Sequence, residues 1–333
     1  MNKQSKTVYT ALMNRIGIVL LINQGLIAVL GTVLSLLETG LAVALGDSRT
    51  LDAAILIGEC AVYFLSFAIP VNIFNKMNKN ASVEIYLPRE SEALSAFPTV
   101  LAMGIALGGT LLSAYLNFFL VDAWGYSEFS SDFLWSVELE HPYQIVIYLA
   151  YSVLIPAVVE EYLFRGTVCK ALTPYGNGTA IIISAILFAL MHSNVEQLLY
   201  TFVAGLLFAW VYTETKNIAL PIALHLINNG VAAVGDIVSY KHGQGAKELY
   251  FAYTDTVIIA FAIISLVGFC IYAYKKKRRA ISPFVLKPDE NGNEVLPLSV
   301  RERASGFFCV GIALFAIYSL FTMISLIIMS VKL

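Results

Sequence analysis

The string PAVVEEYLFRG, residues 156–166, places two glutamates and an arginine in a stretch otherwise apolar enough to cross a bilayer. A charge at the centre of a spanning helix costs about 2.5–3.5 kcal/mol on insertion scales, so Glu160, Glu161 and Arg165 need partners or a water-filled cavity. Glu161 and Arg165 are four residues apart and share a helix face, which predicts a structural ion pair. Glu160 is turned about 100° from Glu161 and must face something else. Two of the four histidines lie in comparable apolar runs. His192 ends FALMH, one turn after Phe188, and His225 begins HLINN, one turn before Asn229 on the same face. His141 and His242 fall in loops. Pro156 and Pro221 stand four residues before Glu160 and His225. A proline inside a helix removes a hydrogen bond and bends the chain, which membranes tolerate beside polar cavities or packed neighbours. Singly, such a proline is a kink and such a histidine a helix–helix bond. Together, Glu160, His192, His225 and Asn229 bring three helices to one set of hydrolytic groups.

Peptide hydrolysis needs a base that activates water and donors for the developing oxyanion. Glu160 supplies the first; His225 and Asn229 on one face supply the second. One carboxylate and two imidazoles are also a ligand set for Zn²⁺ with an open position, here Glu160, His192 and His225. The chain lacks HExxH, so no zinc-protease helix is present.

The elements that carry these residues are membrane helices. Of 333 residues, 58% are hydrophobic and only 13% charged, with mean hydropathy +0.75, about half the charge of a soluble domain. The net charge of -2 says nothing about nucleic acid, but no basic tract is interleaved with aromatics as a nucleic-acid binder needs, so no such partner is expected. Cys60, Cys169, Cys270 and Cys309 sit in apolar runs without metal-finger spacing and read as small buried hydrophobes. At about 20 apolar residues per crossing, nine spans are predicted: 17–38, 52–74, 97–121, 143–171, 177–192, 196–213, 218–238, 252–274 and 305–330. The fifth and sixth are short, so the fold is an all-α polytopic bundle of eight or nine transmembrane helices. With the N-terminus cytoplasmic, 17 of the 21 Lys and Arg residues fall on the inner side, as the positive-inside rule requires. Gly104 and Gly108 predict close packing on the third span. Trp124, Phe129, Phe133 and Trp135 mark residues 122–142 as an interfacial helix or an outer loop. The organisation expected is three spans and an outer loop over 1–142, a core of four spans over 143–238, and C-terminal spans over 239–333 with a basic cytoplasmic loop at 275–304.

EEYLFR, FALMH and HLINN, in this order on successive spans, resemble the EExxxR, FxxxH and HxxxN/D motifs of the CPBP family. That family contains the CAAX-type prenyl endopeptidases and the bacteriocin-processing and self-immunity proteins. The resemblance covers 143–238, under a third of the chain. It implies that Glu160 activates water with His192, that His225 and Asn229 bind the oxyanion, and that Glu161 and Arg165 support the site. The expected reaction is endoproteolysis of a membrane-associated peptide or protein tail, prenylated in the CAAX version, with the lipid bilayer as surroundings. No cofactor is expected, and Zn²⁺ is the alternative; asparagine is an uncommon zinc ligand, which favours the metal-free version. Two other readings stand beside it. One is an immunity or scaffold protein that keeps the motifs without catalysis. The other is an ion-coupled transporter, for which Asn23, Glu59 and Asn117 are scattered polar residues in other spans. Glu59 would alternatively line the same cavity as the site. At about 1.5 Å per residue, Glu160 lies roughly 16 Å, His225 10 Å and His192 22 Å from the inner ends of their spans. The depths agree only if the fifth span starts lower or the helices tilt. The cavity is expected to open to the cytoplasm of a bacterial cell.

Overall fold

The computed structural model describes residues 3–45, 49–79, 93–123, 139–277 and 299–331. All regular structure in them is helical: α1 (Lys3–Leu45), α2 (Arg49–Lys79), α3 (Ala96–Ala123), α4 (Pro142–Tyr175), α5 (Asn177–Met191), α6 (Val195–Thr215), α7 (Ala219–His242), α8 (Gln244–Lys276), the short α9 (Val300–Ser305) and α10 (Val310–Val331). Eight of these are long and apolar enough to cross a membrane. Leu112, Phe118, Phe119, Val257 and Ile264 turn outward with half or more of their surface exposed, an apolar exterior that only lipid satisfies. The chain is an integral, polytopic, all-α membrane protein. The aromatic segment 124–138 and most of the basic loop, 278–298, lie outside the described residues.

Among the described residues nine apolar helices are present, but α5 has 15 residues. At 1.5 Å per residue it is about 22 Å long, less than the roughly 30 Å of hydrocarbon. It ends at a tight turn in which Ser193 takes a left-handed φ of 48° and the Asn194 side chain caps α6 by accepting from Glu196 N at 2.9 Å. A helix end away from water must find partners for its last carbonyls. Here Phe188 O accepts from His192 Nδ1 (2.8 Å), Ala189 O from His192 N (3.3 Å), Leu190 O from Ser193 N (3.1 Å), and Met191 O from Gln24 Nε2 on α1 (2.5 Å).

Two apolar cores flank the motif helix. One joins α1, α2, α4, α5 and α10 through Met13, Leu20, Phe67, Leu163, Leu187 and Phe315. The other joins α3, α6, α7 and α8 through Leu101, Ala106, Ala204, Phe208, Leu224 and Phe269. The predicted glycine contact lies in the second: a Cβ at Gly104 would overlap the Ser265 side chain, and one at Gly108 the Ala262 methyl. Asn23 donates to Ser66 O at 2.8 Å, and Asn117 donates to Glu196 O. Two of the scattered polar residues are therefore interhelical ties. Of the cysteines, Cys169 and Cys309 are buried, Cys60 is half-buried and Cys270 is exposed; all four are free thiols. The expectation of burial fails at Cys270 because the outward face of α8 is apolar for lipid, not for a core.

Candidate active site

The motif helix α4 is not a uniform α-helix. Ala150–Leu154 and Phe164–Cys169 are π-helical turns on either side of an α-helical Ile155–Leu163. Such turns release carbonyls from the regular ladder and often accompany functional sites. Pro156 has no N–H to offer Ser152 O, its partner in α register. Asn229 Nδ2 donates to that carbonyl at 3.0 Å instead. At the start of the second turn, Ser184 Oγ of α5 donates to Phe164 O at 3.1 Å. α4 runs to Tyr175, past the predicted end at 171, so Glu160 lies 15 residues from its end and His192 15 residues from the start of α5. That brings both to about 22 Å at 1.5 Å per residue and removes their mismatch in depth.

Glu161 and Arg165 are both fully buried and pair through Oε1 and Nη1 at 2.8 Å. The guanidinium also donates through Nη2 to Gly205 O at 3.1 Å and lies 4.6 Å from the Phe188 ring centroid and 5.5 Å from that of Phe208. Phe188 belongs to one apolar core and Phe208 to the other, so Arg165 is where the two cores meet. Glu161 does more than balance this charge. The same Oε1 faces His225 Nδ1 at 2.9 Å. A carboxylate only accepts, so Nδ1 donates and Nε2 is turned the other way. It lies 4.0 Å from Glu160 Oε2. That separation is too long for a direct bond and has the span that one bridging oxygen fills.

Glu160 is 3% exposed, and its Oε2 has no partner among the described residues. Its Oε1 accepts a hydrogen bond from Tyr63 OH of α2. Neither the motifs nor the periodicity of α2 singles out Tyr63; a tyrosine in an apolar run carries no signal of a partner 97 residues away. The Tyr63 ring also walls a cavity of about 160 Å³ between α1, α2 and the first π turn, which Ser35, Glu38, Glu59 and Tyr151 line as well. Glu59 lines this cavity together with Tyr63, and Glu160 is not among its described lining residues.

The histidine within 4.0 Å of Glu160 is His225. His192 caps α5 through its Nδ1 bond to Phe188 O, which directs its proton to Nδ1 and leaves Nε2 as the free nitrogen. Its ring meets the Phe188 ring at 4.8 Å, and the same phenyl lies 6.4 Å from His225. Asn229 is bonded to the α4 backbone, and the Asn228 amide donates to Tyr200 OH. Among the described residues, no three His, Cys, Asp or Glu side chains converge to hold a metal ion.

Residues 142–231, which contain every one of these motif residues, match the family described as type II CAAX prenyl endopeptidase Rce1-like. Among curated proteins the chain is similar to the membrane-embedded CAAX protease MroQ of Staphylococcus aureus (strain USA300), at 27% identity over 32% of this chain and 45% of that one. It is also similar to YdiL of Bacillus subtilis (strain 168), at 34% identity over 23% of this chain and 32% of that one. The chain thus spans less than half the length of either relative. No solved structure matches it. The matched segment contains Glu160, Glu161, Arg165, His192, His225 and Asn229; Tyr63 and Gln24 come from helices that precede it.

Proposed function

We propose that this chain is an intramembrane endopeptidase that cleaves a membrane-associated peptide or protein tail with a glutamate-activated water. The observation that carries the reading is the 4.0 Å gap between Glu160 Oε2 and His225 Nε2, with Glu161 against the far side of the imidazole. A water in that gap gives its proton to Glu160 Oε2 as its oxygen attacks the scissile carbonyl carbon. With Nδ1 donating to Glu161, the imidazole turns Nε2 into the gap, and an Nε2–H there faces the developing oxyanion. Asn229 has a second amide N–H for the same oxygen once the first is bonded to Ser152 O. As the C–N bond breaks, the amine leaves with the proton held on Glu160, and the two products are a carboxylate and an amine. The Rce1-like match supports a membrane peptidase. The lysine and arginine distribution supports a cytoplasmic N-terminus, and the bacterial relatives support a bacterial cell membrane.

The test is cleavage of a panel of internally quenched peptides, farnesylated CAAX peptides and unprenylated apolar peptides, by the purified full chain. Wild type cleaves at least one of them, a strong chelator leaves the rate unchanged, and Glu160→Gln abolishes cleavage while the protein still inserts. Cleavage retained by Glu160→Gln refutes the role of Glu160. A chain that cleaves nothing but keeps its cellular phenotype in the Glu160→Gln form is the non-catalytic member of the family.

A further inference from the structure

We infer that Tyr63 is a positioning residue of this site, so that α2, outside the Rce1-like segment, completes the catalytic centre; the inference rests on the peptidase reading. Glu160 must present one oxygen, Oε2, to the water beside His225. A carboxylate on two side-chain methylenes rotates about its last bond unless something holds it, since terminal sp³–sp² torsions are broad. The α4 backbone does not hold it, and Arg165 is committed to Glu161 and Gly205. The hold comes from Tyr63 OH, which donates to Glu160 Oε1 and leaves Oε2 toward Nε2 of His225.

The phenol is itself fixed. Its ring centroid lies 5.0 Å from that of Phe67, a buried residue of the first core, and 5.8 Å edge-on from that of Tyr151 on the first π turn. Tyr63 therefore links the placement of α2 against α4 to the orientation of one carboxylate. Tyr63 also lines the 160 Å³ cavity. A phenylalanine at 63 keeps the ring and loses only the donor.

The experiment compares wild type, Tyr63→Phe and a chain in which Tyr63 is replaced by 4-aminophenylalanine, which restores a donor at the same place. All three are purified as the full chain, checked for equal melting temperature, and assayed with whichever quenched peptide of the panel the wild type cleaves. A hydrogen bond to a charged group is worth about a 10- to 100-fold change. The expected result is a kcat lowered by about that factor in Tyr63→Phe, KM within about twofold of wild type, and recovery of most of the loss by 4-aminophenylalanine. Equal kcat in wild type and Tyr63→Phe overturns the inference and leaves the peptidase reading standing. A raised KM at unchanged kcat also overturns it, because Tyr63 then binds substrate. A loss that the amino variant does not recover, or a lowered melting temperature that accounts for it, shows packing alone and overturns it too. A wild type that cleaves no peptide of the panel overturns the peptidase reading and this inference with it.

Discussion

Replacing Arg165 by leucine tests what holds the two halves of the bundle together. The arginine and Glu161 are both 0% exposed and 2.8 Å apart. At an effective dielectric of 20, two unit charges at that distance attract by roughly 6 kcal/mol before desolvation is counted. The measurable quantity is smaller, because truncating one partner of a buried pair costs about 3–5 kcal/mol, chiefly by stranding the other. Gly205 O also loses its donor, and two aromatic faces lose their cation, so the expected cost of Arg165→Leu is about 4–6 kcal/mol. Adding Glu161→Gln to that variant removes the stranded charge and recovers about 2 kcal/mol relative to the sum of the single costs. The assay is equilibrium unfolding in mixed detergent micelles, followed by circular dichroism. Lys247 and Asp236 form the internal control: they too are 2.8 Å apart, but with side chains 26% and 48% exposed. Lys247→Met should cost no more than about 1 kcal/mol, since water screens the pair. An Arg165→Leu cost below about 1 kcal/mol, or a double variant equal to the sum of the singles, refutes the argument that burial makes this pair structural.

Three further outcomes follow from other contacts. Asn229→Ala leaves Ser152 O without the donor that Pro156 cannot supply, and should lower stability by about 1–3 kcal/mol in the same unfolding assay; Asn229→Asp, which presents acceptors to a carbonyl, should be no better. Gly17→Val drives a side chain into the Gly311 backbone where α1 crosses α10, so it should cost at least about 1–3 kcal/mol, with hydrogen exchange rising first in 310–328. At the start of α9, Ser299 N and Oγ donate to the Glu302 carboxylate and hold it below the usual carboxylate range. A depressed folded value means that this cap is fully present above the ordinary carboxylate pKa and is lost as pH falls through the folded one. Amide exchange over 300–305 should therefore speed up on acidification, and Glu302→Gln should abolish that dependence.

What the sequence determined is local. Apolar runs as long as a bilayer made the helices, and the 15-residue α5 is the short one of the series. Its length is legible, but not that Gln24, 167 residues earlier, reaches Met191 O at its end. The Glu161–Arg165 pair was readable because residues four apart on a helix must be neighbours. The motif spacing likewise named Glu160, His192, His225 and Asn229, since each motif lies within one or two helical turns. What those residues touch was decided by tertiary structure. Glu161 turned out to hold His225 as well as Arg165, Asn229 to mend the carbonyl that Pro156 leaves open, and Tyr63 to hold Glu160, across separations of 64, 77 and 97 residues. Helical periodicity says which residues share a face. It does not say which helix that face meets, because the lipid-facing and core-facing sides of a membrane helix are equally apolar, and only the packed bundle distinguishes them.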